Sequence, residues 1–177
     1  MERRDFIKVV GLTAAGVLIA PICVSAADPQ GGWRWCKKCE GLWFAGGGAD
    51  RQGKCPAGDN HDETDSGAYA LAHNDDDAPG QGDWRWCKKC EGLWFAGGGA
   101  DRPGQCAAGD GHDEADSGRY ILTHNDDEGA GQQHWRWCKK CEGLWFAGGG
   151  AARRGQCPAN GVHDAADSGK YTLAHIG

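Results

Sequence analysis

The sequence predicts a small all-β protein of three tandem modules, each a β-hairpin followed by one further strand. Three observations predict it. The 17 residues of 33–49 return unchanged at 84–100 and 135–151, a period of 51 residues. Within each period, short runs that alternate apolar and polar residues are separated by Gly-rich and Asp-rich turns, which is strand patterning rather than helical patterning. Each period also carries three cysteines and a histidine at constant spacing, C-x2-C-x15-C-x5-H.

The first period shows the elements in order. Trp33-Arg34-Trp35 alternates as a strand with both indoles on one face. Cys36-Lys37-Lys38-Cys39-Glu40-Gly41 is a tight turn in which Gly41 is the residue expected to relieve a left-handed backbone. Leu42-Trp43-Phe44 returns as the second strand, and Gly46-Gly47-Gly48 ends it. Residues 49–65 are rich in Gly, Pro, Asp and Asn and read as an irregular loop, long enough to need tying down. Residues 66–73 alternate again, with Tyr69 and Leu71 on one face of a third strand. Residues 74–83 and 125–134 are acidic connectors without periodicity, read as solvated linkers. The divisions are therefore 1–26 for a leader and 27–74, 75–125 and 126–177 for the three repeats. Two arrangements are open: beads on acidic linkers, or a closed pseudo-threefold body.

The leader has a paired-arginine start (Arg3-Arg4-Asp5-Phe6-Ile7-Lys8), a short mildly apolar run and a small-residue ending, Val24-Ser25-Ala26. Its Arg-Arg-x-Phe-Ile-Lys core looks like a twin-arginine export signal. The expected location is periplasmic or secreted, with Cys23 leaving with the leader. The whole chain has a formal net charge of −6; losing Glu2, Arg3, Arg4, Asp5 and Lys8 takes it to −7. That charge disfavours nucleic acid and anionic membrane surfaces as partners.

Units this small, with few large apolar side chains, seldom fold on burial alone. The cysteines are the expected staple. Three per repeat is an odd number, so disulfides cannot pair all of them within a repeat, and a disulfide framework has no use for a histidine in register. Three thiolates and an imidazole make the closed tetrahedral shell of a structural zinc site. The expected ligands are Cys36, Cys39, Cys55 and His61; Cys87, Cys90, Cys106 and His112; and Cys138, Cys141, Cys157 and His163, holding three zinc ions. An iron–sulfur centre is the alternative, although it wants a fourth cysteine. His73, His124 and His175 also recur in register and compete for the fourth position. Asp62, Asp113 and Asp164 either orient the favoured histidine or form a turn.

A closed shell leaves no open position for catalysis. Glu40, Glu91 and Glu142 read as exposed turn residues, and Ser66, Ser117 and Ser168 lie in Asp-Ser-Gly turns, so no enzyme is expected. Alternation on the second strand points Trp43, Trp94 and Trp145 away from Leu42 and Phe44 and their copies, either into a core or out to solvent. If exposed, they form three aromatic platforms suited to carbohydrate, envelope polymer or a protein partner, with avidity as the use of triplication.

The pattern Trp-x-Trp-Cys-x-x-Cys-x-Gly-Leu-x-Phe, followed by Cys-Pro-Ala-Gly and His, resembles tandem repeats of secreted bacterial proteins, over residues 33–173. Its opening is also zinc-ribbon-like. The resemblance implies metal-binding repeats and supplies no activity. The expected function is an exported, non-enzymatic binding or interaction protein; periplasmic electron transfer on iron–sulfur clusters and metal buffering are the alternatives.

Overall fold

The computed structural model describes residues 28–74, 77–125 and 130–176, so the leader expected over residues 1–26 lies outside the described residues. Among the described residues the protein is all-β. Each module contributes a six-residue strand, a three-residue strand and a closing strand. In the first module these are β1 (Gln30–Trp35), β2 (Leu42–Phe44) and β3 (Ala68–His73). The second has β4 (Gln81–Trp86), β5 (Leu93–Phe95) and β6 (Tyr120–His124), and the third has β7 (Gln132–Trp137), β8 (Leu144–Phe146) and β9 (Tyr171–His175). The ends of the expected linkers are therefore strand: Asp83 and His134 lie within β4 and β7.

The hairpin forms as the alternation predicts. β1 and β2 pair antiparallel with Trp33 opposite Phe44 and Trp35 opposite Leu42. β3 pairs along the other edge of β1, with Tyr69 opposite Trp33, and the register shifts between Gln30 and Trp33. That bulge puts one residue in the left-handed region, Gly32 at φ 90° and Asp83 and His134 at 64° and 72° in the later modules.

The modules are not beads. β3 pairs with β6, β6 with β9, and β9 with β3, closing three strands from three modules into a ring. A second ring closes through the short strands, where single bridges join Trp43 to Gly92, Trp94 to Gly143 and Trp145 to Gly41. With both rings closed the body is pseudo-threefold and its sheet almost without free edges.

Closure solves the small-core problem. Trp33, Leu42, Tyr69 and Leu71 meet their eight counterparts in one buried cluster. Four such side chains cannot hold a 51-residue unit, but twelve packed together make one core of ordinary domain size. The seams are aromatic. Trp33 meets the edge of Tyr120 with centroids 5.1 Å apart, Trp84 meets Tyr171 at 5.2 Å, and Trp135 meets Tyr69 at 5.3 Å. Each tyrosine hydroxyl donates to a glutamine of another module: Tyr120 to Gln30, Tyr171 to Gln81 and Tyr69 to Gln132, at 2.5–2.6 Å.

Burial pushes the phenols of Tyr69, Tyr120 and Tyr171 up to about 12. A folded-state pKa above the unfolded one favours folding below the unfolded value, near pH 10, and that contribution is lost as pH rises towards 12. An ultraviolet pH titration of the folded protein is expected to show no phenolate signal through pH 10–11, with ionisation and loss of stability arriving together above it. Three tyrosines titrating near 10 in the folded protein would contradict the seams.

Candidate metal centres

Each hairpin tip and the loop beyond it bring four donors together. Cys36 and Cys39 sit in the turn between β1 and β2, held by hydrogen bonds from Cys36 N to Gly41 O (2.9 Å) and from Glu40 N to Cys36 O (2.8 Å). Cys55 and His61 come from the long loop, shaped by Cys55 N donating to Asp59 O and His61 N donating to Gln52 O. The donor atoms of Cys36, Cys39, Cys55 and His61 all lie within 4.8 Å of one another, and so do those of Cys87, Cys90, Cys106 and His112, and of Cys138, Cys141, Cys157 and His163. His73, His124 and His175 are elsewhere, each against a tyrosine ring at 4.8–5.1 Å in the strand ring.

The spacing within each group fits one tetrahedral ion. Sulfurs about 2.3 Å and a nitrogen about 2.0–2.1 Å from zinc stand about 3.8 Å apart along a sulfur–sulfur edge and about 3.6 Å along a sulfur–nitrogen edge. Cys36 Sγ and Cys55 Sγ are 3.8 Å apart, and Cys39 Sγ and His61 Nδ1 are 3.6 Å apart. The second module has 3.8 and 3.7 Å, the third 3.8 and 3.6 Å. All nine described cysteines are free and buried, with sulfurs well beyond the roughly 2.05 Å of a disulfide.

The protonation balance in the first group suits a cation. Hydrogen bonds from Cys39 and Cys55 hold the Cys36 thiol far below its usual range. The same contacts push Cys39 up and Cys55 up to about 11, because each shares its proton with that thiolate. In this group the negative charge of the Cys36 thiolate is thus shared with its two neighbouring thiols. A divalent ion replaces the thiol protons and lets all three sulfurs ionise.

The surroundings of the ligands favour metal binding. The Asp62 backbone N–H donates to Cys36 Sγ at 3.4 Å, and Asp113 and Asp164 do the same for Cys87 and Cys138. The Asp62 carboxylate accepts from Thr64 N at 2.9 Å, so of its two candidate roles it takes the turn. The imidazole is oriented by another module instead. His61 Nε2 donates to Cys90 O, His112 Nε2 to Cys141 O and His163 Nε2 to Cys39 O, each at 3.1 Å. That bond places the ring proton on Nε2 and leaves Nδ1 as the ligand atom.

Three expectations are corrected. Trp43, Trp94 and Trp145 are not exposed platforms; they are only 2–4% exposed. They point away from Leu42 as alternation requires, but that second face of the hairpin is covered by the metal loop. Trp43 stacks on His61 at 5.1 Å and packs with Cys36, Cys39 and Cys55. Glu40, Glu91 and Glu142 are buried rather than exposed. They, and not Gly41 and its copies, take the left-handed backbone, at φ 60–62°. Their carboxylates are shared between modules. Glu91 accepts from Trp86 Nε1 at 2.7 Å and from Arg51 Nη2 of the preceding module at 2.8 Å. Ser66 is a structural bridge, accepting from Trp35 N and donating to Gly67 O.

Arg51, Arg102 and Arg153 were missed in the sequence, where they look like ordinary loop cations. Each lies over a tryptophan ring of the next module, Arg51 over Trp86 at 5.2 Å, and reaches that module's buried glutamate. Among known proteins, no family model, curated sequence or solved structure matches the chain.

If His61 rather than His73 completes the site, then His61→Ala is expected to lower bound metal from three ions to two or fewer, and His73→Ala to leave three. Native mass spectrometry of the two variants checks it; the reverse result would move the fourth ligand to the strand ring.

Proposed function

We propose that the protein is an exported, non-enzymatic binding scaffold whose three modules are each closed by one structural zinc ion. The observation that carries this reading is the match between donor spacing and the edges of a single tetrahedral ion, repeated three times with the shell filled by protein ligands. A filled shell leaves no site for an activated water. The short spread of the donors favours one ion over a polynuclear iron–sulfur centre, whose thiolates must stand further apart around the cluster. Buried ligands favour a structural ion over a rapidly exchanging one, which weighs against metal buffering. The leader's twin-arginine pattern supports export of a chain already folded around its metal, to the periplasm or beyond.

What the scaffold presents to a partner lies at the module junctions. With Trp43 and its copies buried, the accessible aromatic surface is that of Trp86 and Phe44, which line a groove of about 700 Å³ with Arg51, Lys88 and Asp116. A corresponding groove of about 400 Å³ is lined by Trp35, Phe146, Arg153, Lys37 and Asp65. Ring surface beside charged hydrogen-bonding groups suits a carbohydrate or envelope polymer, and repetition round the body suits a polymeric one.

Elemental analysis of freshly purified mature protein tests the reading. Three zinc ions per colourless chain are expected, lost only on unfolding. Iron with visible absorption would transfer the function to electron transfer, and zinc exchanging freely from the folded protein would transfer it to buffering. Titration of the same sample with cell-wall polysaccharides is expected to shift tryptophan emission; no response to any glycan would remove the carbohydrate partner.

A further inference from the structure

The three sites brace one another round the ring, always in the same direction. The loop that supplies Cys55 and His61 to the first site lies against the cysteine turn of the second. His61 Nε2 donates to Cys90 O, and Cys90 is itself a ligand of the second site. Arg51 reaches Glu91, the residue after that ligand, with Nε and Nη2 both on Oε1. Phe44 N donates to Glu91 O at 2.8 Å. Gly53, with its backbone left-handed at φ 64°, lies so close to the Cys90 carbonyl that a side chain would have no room.

The same set recurs from the second site to the third and from the third to the first. His112 meets Cys141 O, Arg102 meets Glu142, and Gly104 abuts Cys141 O. His163 meets Cys39 O, Arg153 meets Glu40, and Gly155 abuts Cys39 O. The ring has no end, and cysteines and histidines of all three sites border one shared apolar recess.

The loops doing the bracing have little of their own to order them. Between β2 and β3 there is no strand, only turns, and the buried side chain within residues 46–65 is Cys55. An ion that captures Cys55 and His61 fixes this loop, and with it the position of Gly53, Arg51 and the imidazole N–H against the neighbouring turn. An empty site releases the loop and leaves the next turn without those contacts.

We propose that the three ions load as a cooperative set: a filled site orders the loop that preforms the next site, so chains holding one or two ions are disfavoured against chains holding none or three. The inference rests on the reading of the three clusters as metal sites. Coupling of this kind is a property of the ring, since each filled site raises the affinity of its neighbour and the neighbour returns the same factor.

Native mass spectrometry of the mature, reduced, metal-stripped chain, given one zinc ion per chain, tests it. Independent sites would place about two thirds of chains in the one-ion and two-ion states by random filling. The cooperative ring is expected to hold those states below about one tenth, with metal-free and three-ion chains dominating. Random filling, with three ions still bound at excess zinc, would overturn cooperativity while leaving the sites intact. Failure to reach three ions at excess zinc would overturn the sites and the cooperativity together. The variant carrying Arg51→Ala, Arg102→Ala and Arg153→Ala keeps every ligand and is expected to bind three ions at excess zinc but to populate the partial states several-fold more. The corresponding lysine variant, which retains charge but loses the two-nitrogen grip, is expected to fall between. Partial states unchanged in both variants would overturn the arginine bridges as carriers of the coupling.

Discussion

Everything in this molecule depends on capturing the long loop after β2. Each module spends some twenty residues, rich in glycine and aspartate, on a segment with no strand and one buried cysteine. Ordering a residue's backbone costs roughly 1–2 kcal/mol, and such a loop recovers little of that by burying apolar surface. A tetrahedral ion gripping Cys55 and His61 together with the Cys36–Cys39 turn would supply a strong tie, because metal binding to such a site is coupled to folding. With the loop fixed, Trp43 gains a ceiling, Glu91 gains Arg51, and the hairpin has both faces covered.

The same constraint explains why there are three modules in a closed body. One hairpin buries one face against its own metal loop and leaves Trp33, Leu42, Tyr69 and Leu71 on the other. That second face is apolar and cannot stand in water, yet it is too small to be a core. Three copies turned inward make it one. The glutamates mark where the copies join: a carboxylate buried beside Trp86 Nε1 and gripped by the preceding module's arginine is tolerated because its hydrogen bonds replace those lost to water.

Much of this was legible in the residues. The fixed C-x2-C-x15-C-x5-H spacing marked the four donors now seen together, and the alternation of Trp33-Arg34-Trp35 and Leu42-Trp43-Phe44 marked the hairpin. What stayed hidden has one physical cause. The modules are nearly identical, so a contact within a module and a contact to the next look the same in the sequence. Nothing local distinguishes Arg51 paired with Glu40 from Arg51 paired with Glu91, and only closure of the ring decides. Trp43 was ambiguous for a related reason. Alternation says which face an indole takes but not what covers that face, and the cover comes from the loop that carries Cys55 and His61. The left-handed residue of the turn fell on Glu40 rather than Gly41 because paired hydrogen bonds from Trp35 and Arg153 hold it there.

The central claim is that each module closes on a single ion bound by three sulfurs and one imidazole. X-ray absorption spectroscopy at the metal edge of the purified protein reads that shell directly. The account predicts one averaged shell of three sulfurs at about 2.3 Å and one nitrogen at about 2.0–2.1 Å, without metal–metal scattering. A shell containing oxygen, a short metal–metal distance, or a metal-free chain with oxidised cysteines would contradict it.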